Sequence, residues 1–151
     1  MRRLLPMTLL ALAACQGEVR EKVDGRTGFT VERSEWRRGR LHGSWRTWYA
    51  DGTPRADRVY EDGLRAGRWT EWHSSGAKRL EGAFADGLRH GPWRSGHANG
   101  QPEWQGEYQA GAKVGTWTLF DTEGREVCRE SWEDGTRVAI RWPGPAPDPD
   151  R

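Results

Sequence analysis

The chain has 151 residues, a length that fits one domain. Lys and Arg number 24 against 22 Asp and Glu; Arg2 and Arg3 are the only charges in the first fourteen residues, and without that segment the balance is 22 to 22. A neutral body excludes non-specific nucleic-acid binding and polybasic membrane docking, both of which need a net positive field. Ten Trp and 20 Gly stand beside an apolar content of only 34%. A core must then be assembled from aromatic rings, and the backbone must turn often. Thin β-structure fits this composition better than a thick globule with an aliphatic interior.

The chain opens with Met1-Arg2-Arg3 and an apolar run of eleven residues, Leu4 to Ala14. The run is too short to span a bilayer as a helix and has the order of a secretory signal. It ends Leu12-Ala13-Ala14-Cys15, which resembles the lipobox of bacterial lipoproteins. That resemblance implies cleavage before Cys15, a diacylglyceride on its sulfur and usually an N-acyl chain. Several acyl chains exceed the two signals that stable anchoring takes. Gln16, where some such lipoproteins carry Asp, points by the same resemblance to the outer membrane, on its periplasmic or surface face. Residues 15–27 are polar and charged and read as a tether. With Cys15 acylated, Cys128 has no intrachain partner and reads as a small core residue.

From Trp36 onward the chain repeats. Trp36, Tyr60, Phe84, Tyr108 and Trp132 lie 24 residues apart. Three residues after each comes Gly39, Gly63, Gly87, Gly111 or Gly135; seven after the first four comes Gly43, Gly67, Gly91 or Gly115. Nine after come Trp45, Trp69, Trp93 and Trp117, and sixteen after come Gly52, Gly76, Gly100 and Gly124, a row that Gly28 extends backwards. Twelve after come Trp48, Trp72 and Phe120, with Gly96 as the exception. A fixed period means a repeat architecture in which each unit buries its apolar face against its neighbours.

Each unit reads as a hairpin. Residues 67–73 and 78–84 flank the polar turn Ser74-Ser75-Gly76-Ala77, and Asp-Gly pairs at 62–63, 86–87 and 134–135 supply the next turns. No stretch carries sustained helical periodicity. The expected fold is all-β: an elongated antiparallel array of stacked hairpins in a single twisted sheet. Leu80, Gly82 and Phe84 share a strand face, as do Trp104, Gly106 and Tyr108, so a neighbouring Trp ring can lie across each bare glycine. Trp69 and Trp72 face opposite sides of an ideal strand, unless a bulge intervenes. Residues 28–142 form the repeat domain, with Arg137–Trp142 as a terminal cap strand. Residues 143–151, rich in Pro, read as a disordered tail.

The pattern aromatic-x-x-Gly-x-x-x-Gly-x-Trp-x-x-aromatic-x-x-x-Gly resembles the bacterial branch of the MORN repeat. Its clearest copies start at Tyr60 and Phe84; the third has Ser95-Gly96-His97 where an aromatic is expected, and the fifth loses its second Gly and shifts its Trp. The resemblance implies a non-enzymatic hairpin array that acts as a scaffold, a protein-binding surface or a lipid contact. It also brings an antitoxin label that many bacterial members carry.

Nothing in the sequence supports catalysis. His42, His73, His90 and His97 have no zinc-like spacing with Cys, and neither Gly-x-Ser-x-Gly nor His-Glu-x-x-His occurs. The Asp-Gly pairs lack the alternating oxygen ligands of a calcium loop. No cofactor or metal is expected. Most Trp are expected to stack in the core; Tyr49, Trp104 and Trp142 lie off the main rows and are the candidates for exposed binding residues. Arg40, Arg65 and Arg89 beside the glycines form a solvated face or a stripe toward an anionic partner. The expected partners are a membrane through the lipid anchor and an unidentified protein. A glycan, or a toxin in an immunity-like role, is the alternative.

The anchor has a direct check. Intact mass and membrane fractionation in a Gram-negative host should show wild type without its first fourteen residues, carrying acyl mass and in the membrane, and Cys15→Ala soluble and unacylated. Two soluble, unacylated proteins would remove the anchor.

Overall fold

Two kinds of turn set the architecture from residue 30 onward. At the Asp62-Gly63 turn both central residues have positive φ, 48° and 89°. This is the type I′ geometry whose twist matches that of paired strands. The same two-residue turn recurs at Arg38-Gly39, Asp86-Gly87, Ala110-Gly111 and Asp134-Gly135. The other turns are wider. His73 N–H donates to the Ala77 carbonyl at 2.9 Å and Gly76 N–H to the His73 carbonyl at 2.9 Å, and the pattern repeats at 49–53, 97–101 and 121–125.

The computed structural model describes residues 17–144. Eleven strands follow one another: β1 (Glu18–Val23), β2 (Thr30–Arg37), β3 (Arg40–Trp48), β4 (Pro54–Glu61), β5 (Leu64–Trp72), β6 (Lys78–Ala85), β7 (Leu88–Gly96), β8 (Pro102–Gln109), β9 (Ala112–Phe120), β10 (Glu126–Glu133) and β11 (Thr136–Arg141). Each pairs antiparallel with the next in one open sheet, with β1 and β11 at its edges. Successive repeats also stack turn on strand: Gly87 N–H donates to the Arg65 carbonyl at 3.1 Å and Gly111 N–H to the Arg89 carbonyl at 2.9 Å.

The sheet starts earlier than the sequence suggests. Glu18–Val23, within the stretch read as tether, is a strand paired with β2. Every residue of it is exposed, so it has no buried stripe to betray it; backbone pairing holds it, with Arg20 over the Trp36 ring at 4.1 Å. The cap strand is present as β11, and Trp142 lies just past its end, half-buried. Cys15, the signal segment 1–14 and the tail beyond Gly144 lie outside the described residues.

The core is a row of rings along one face. Trp69, Phe84, Trp93, Tyr108 and Trp117 are buried, and Tyr60, Leu80, Trp104 and Trp132 pack against them. Ring centroids run from Trp45 to Tyr60 at 5.8 Å, Trp69 at 5.5 Å, Phe84 at 4.7 Å, Trp93 at 5.1 Å, Tyr108 at 6.0 Å and Trp117 at 4.9 Å. Edge-on and tilted pairs of this kind suit the ring quadrupole.

A bulge steers Trp69 into this row. Arg58 pairs with Trp69 while Val59 pairs with Ala66, so Gly67 and Arg68 are extra on β5. Such an insertion re-aims the side chains that follow. β5 itself gains no residue between Trp69 and Trp72, since the register shift at Glu71/Trp72 puts its extra residue, Arg79, on β6; the two rings stay on opposite faces, and Trp72 lines a shallow groove with Val59 and Thr70. Gly96, the exception in its row, has a tertiary reason. A Cβ there would meet the Lys78 carbonyl at 2.5 Å, and the Gly96 carbonyl itself accepts a bond from His73.

Trp93 lies flat across Gly82 and Trp117 across Gly106, and a Cβ on either glycine would overlap the ring. Gly82→Ala or Gly106→Ala should therefore lower stability by about 1–3 kcal/mol through overpacking. Gly25→Ala, with open space around it and no positive φ, should change stability by less than about 0.5 kcal/mol. Denaturant unfolding of the three variants checks this.

Candidate functional site

The aromatic face is roofed by cations. Across each two-residue turn the first-row aromatic pairs with the residue five later: Tyr60 with Arg65, Phe84 with Arg89, Tyr108 with Lys113. Each cation sits over two rings. Arg65 Cζ lies 5.3 Å from the Trp69 centroid and 5.4 Å from Phe84; Arg89 lies 4.6 Å from Trp93 and 5.2 Å from Tyr108. Lys113 Nζ lies 4.2 Å from Trp117 and 4.5 Å from Trp132. Arg89 also donates to the Tyr108 hydroxyl at 2.9 Å. Cations at these distances are attracted to the ring faces and held in place.

The row differs from the stripe expected in the sequence. Arg65 and Arg89 belong to it, but Arg40 does not; Leu41 is the residue paired with Trp36. Lys113 completes it, although the sequence reading passed over it. The signal was the 24-residue spacing of 65, 89 and 113.

Two carboxylates buried on this face are already engaged. Glu71 is buried and accepts from Arg58 at 2.5 Å, from the Trp69 indole at 3.1 Å and from Arg79. Glu130, 8% exposed, accepts from Arg137 at 2.7 Å and from the Trp132 indole at 3.0 Å. Burial pushes the Glu130 carboxyl up, but the bonds from Arg137 and Trp132 outweigh it and hold the group below its ordinary value. The opposite face has its own acid, Glu81, ringed by Arg68, Lys78 at 2.9 Å and Arg94 at 3.3 Å. Among the described residues, no carboxylate lies within ion-pair distance of Arg65, Arg89 or Lys113.

The sites read from the sequence mostly build the frame. Gly39, Gly63, Gly87 and Gly111 form the two-residue turns. Gly43, Gly67, Gly91 and Gly115 sit in β3, β5, β7 and β9 with positive φ, and Gly52, Gly76, Gly100 and Gly124 close the wider turns. Trp69, Trp93 and Trp117 are buried and Trp45 half-buried. Tyr49, Trp104 and Trp142, expected to be exposed, are half-buried instead. Tyr49 is a clamp: its hydroxyl donates to the Trp72 carbonyl at 2.8 Å. Trp104 stacks on Trp117 at 5.2 Å and 34°, because it shares the core face of β8 with Tyr108.

Two of the histidines, His73 and His97, serve the wide turns. His73 Nε2 contacts the Gly96 carbonyl at 2.7 Å and His97 Nε2 the Phe120 carbonyl at 3.2 Å. A carbonyl only accepts, so both nitrogens carry the proton. Tyr49, His73 and His97 thus occupy one row and one role. Cys128 is buried, and burial first, then Glu130, raises its thiol. Among the described residues there is no group of three His, Cys, Asp or Glu placed to hold a metal, and no helix long and apolar enough to cross a membrane. Comparison with protein-family models and with curated proteins finds no match to the chain.

The Glu130 geometry fixes a pH dependence. A carboxyl lowered on folding contributes stability above its unfolded value near 4.5, and that stability is lost as pH falls through the folded value. Glu130→Gln should therefore be less stable than wild type by roughly 1–3 kcal/mol at neutral pH. The gap should narrow below about pH 4.5. A pH-independent gap in denaturant melts would contradict this.

Proposed function

We propose that the chain is a non-enzymatic, lipid-anchored repeat module of the cell envelope whose sheet is a protein-binding scaffold. The observation that carries the reading is the row of Arg65, Arg89 and Lys113, cations fixed over rings at one-repeat spacing without acidic partners of their own. A surface of regularly placed donors on a rigid element suits recognition. The lipobox-like Leu12-Ala13-Ala14-Cys15 supports attachment to a bilayer, and the MORN-like rows support a scaffold role. Each buried acid so far described is bound to neighbouring cations or indoles, which suits a frame rather than proton transfer.

The test is affinity capture from detergent-solubilised envelopes, with chemical crosslinking through cysteines placed on the aromatic face and on the opposite face. The expected result is one partner crosslinked from the aromatic face alone. Recovery of no specific partner, or crosslinking from both faces alike, would overturn the reading.

A further inference from the structure

The row of cations has a pitch. Neighbouring strands lie ~4.8 Å apart, so residues one repeat apart in this sheet recur about every 9.5 Å. Arg65, Arg89 and Lys113 stand on β5, β7 and β9, each one strand removed from the next. Their heads are already positioned, since each rests over two rings. Pre-positioned donors lose less freedom on binding. Most other Arg residues of the sheet, among them Arg37, Arg46, Arg58, Arg94 and Arg129, have a carboxylate within ion-pair distance. These three do not.

We propose that this row binds an extended acidic peptide in the polyproline II conformation, with a carboxylate at every third residue. A polyproline II chain has three residues per turn and rises ~3.1 Å per residue, so every third side chain returns to the same side about every 9.3 Å. That period matches the pitch of the cations, and each Arg head can meet a carboxylate with two parallel N–H donors. An ordinary β-strand does not match: its side chains return to one face every second residue, roughly every 6.8 Å. A sugar polymer is the weaker fit, because the rings that would stack on sugar faces are covered; Trp93 and Trp117 are 2% exposed. What reaches a ligand is the row of charges. The inference rests on the protein-binding reading and names the chemistry of the partner segment.

The test is fluorescence anisotropy of a labelled (Pro-Pro-Glu) repeat peptide against the whole protein as expressed, in detergent. A peptide of the same composition with its Glu residues in one block is the comparison, and polygalacturonate is the competitor. Wild type should prefer the periodic peptide, and high salt should weaken binding. Each of Arg65→Gln, Arg89→Gln and Lys113→Gln should weaken it roughly threefold, and the triple variant by roughly thirtyfold. Arg68→Gln and Arg94→Gln, around Glu81 on the opposite face, should leave it unchanged. If the triple variant melts early, the single variants and the periodic-to-block ratio carry the test. Equal binding of both peptides, single variants without effect, or binding of polygalacturonate in place of the peptide would overturn the proposal. A protein partner captured equally by wild type and by a folded triple variant would remove the peptide site and leave the scaffold reading standing.

Discussion

A Trp ring lying flat across a bare glycine is the contact on which the rest of this sheet depends. A single sheet has no second layer to bury its apolar face, and each ring must find its cover within the same face. Trp93 has Gly82 beneath it, Phe84 and Tyr108 against it and Arg89 above it. Trp117 has Gly106 beneath it, Tyr108 and Trp104 against it and Lys113 above it. Aromatic rings suit this arrangement because each covers a large area with few rotatable bonds.

Register follows from that contact. The two-residue turns fix which residues face each other, and the glycine bulge re-aims the strand so that a Trp falls opposite a glycine rather than beside it. Wide turns at the other end are tied to the next repeat by side chains, from Tyr49 to Trp72 and from His73 to Gly96. Both ends of each hairpin thus hold the next one, which stacks repeats without a second layer.

The electrostatics of the two faces follow from the same rows. Two residues before each first-row aromatic come Ser34, Arg58, Gly82, Gly106 and Glu130. Where glycine stands, the indole covers it. At the ends of the row, Ser34 and Glu130 accept the indole N–H of Trp36 and Trp132 instead. In between, Arg58 lies over Trp45 and Trp69 at 4.9 and 5.0 Å. One small position can be glycine, cation or acceptor because each covers or satisfies the ring in its own way. Glu71 and Glu130 are paired with Arg58, Arg79 and Arg137, and among the described residues no carboxylate lies within ion-pair distance of Arg65, Arg89 or Lys113.

The fold class, the repeat length, the turn positions and the covering of Gly82 and Gly106 were legible in the chain, because turn chemistry and alternation are local and the period repeats them. β1 was not, since a fully exposed strand such as Glu18–Val23 carries no apolar stripe and is held by pairing alone. Nor was the burial of Tyr49 and Trp104, which depends on neighbours 23 and 13 residues away. Lys113 differs from its row mates in residue type, so the sequence marks it by spacing alone, and its place over Trp117 and Trp132 aligns it with Arg65 and Arg89. The sequence by itself determined a hairpin ladder with an aromatic core, because glycine spacing and β-turn propensity act over a few residues. Only the tertiary structure decided which face each ring took and which cations kept no acidic partner, because those outcomes depend on strand register and on competition among side chains distant in the chain.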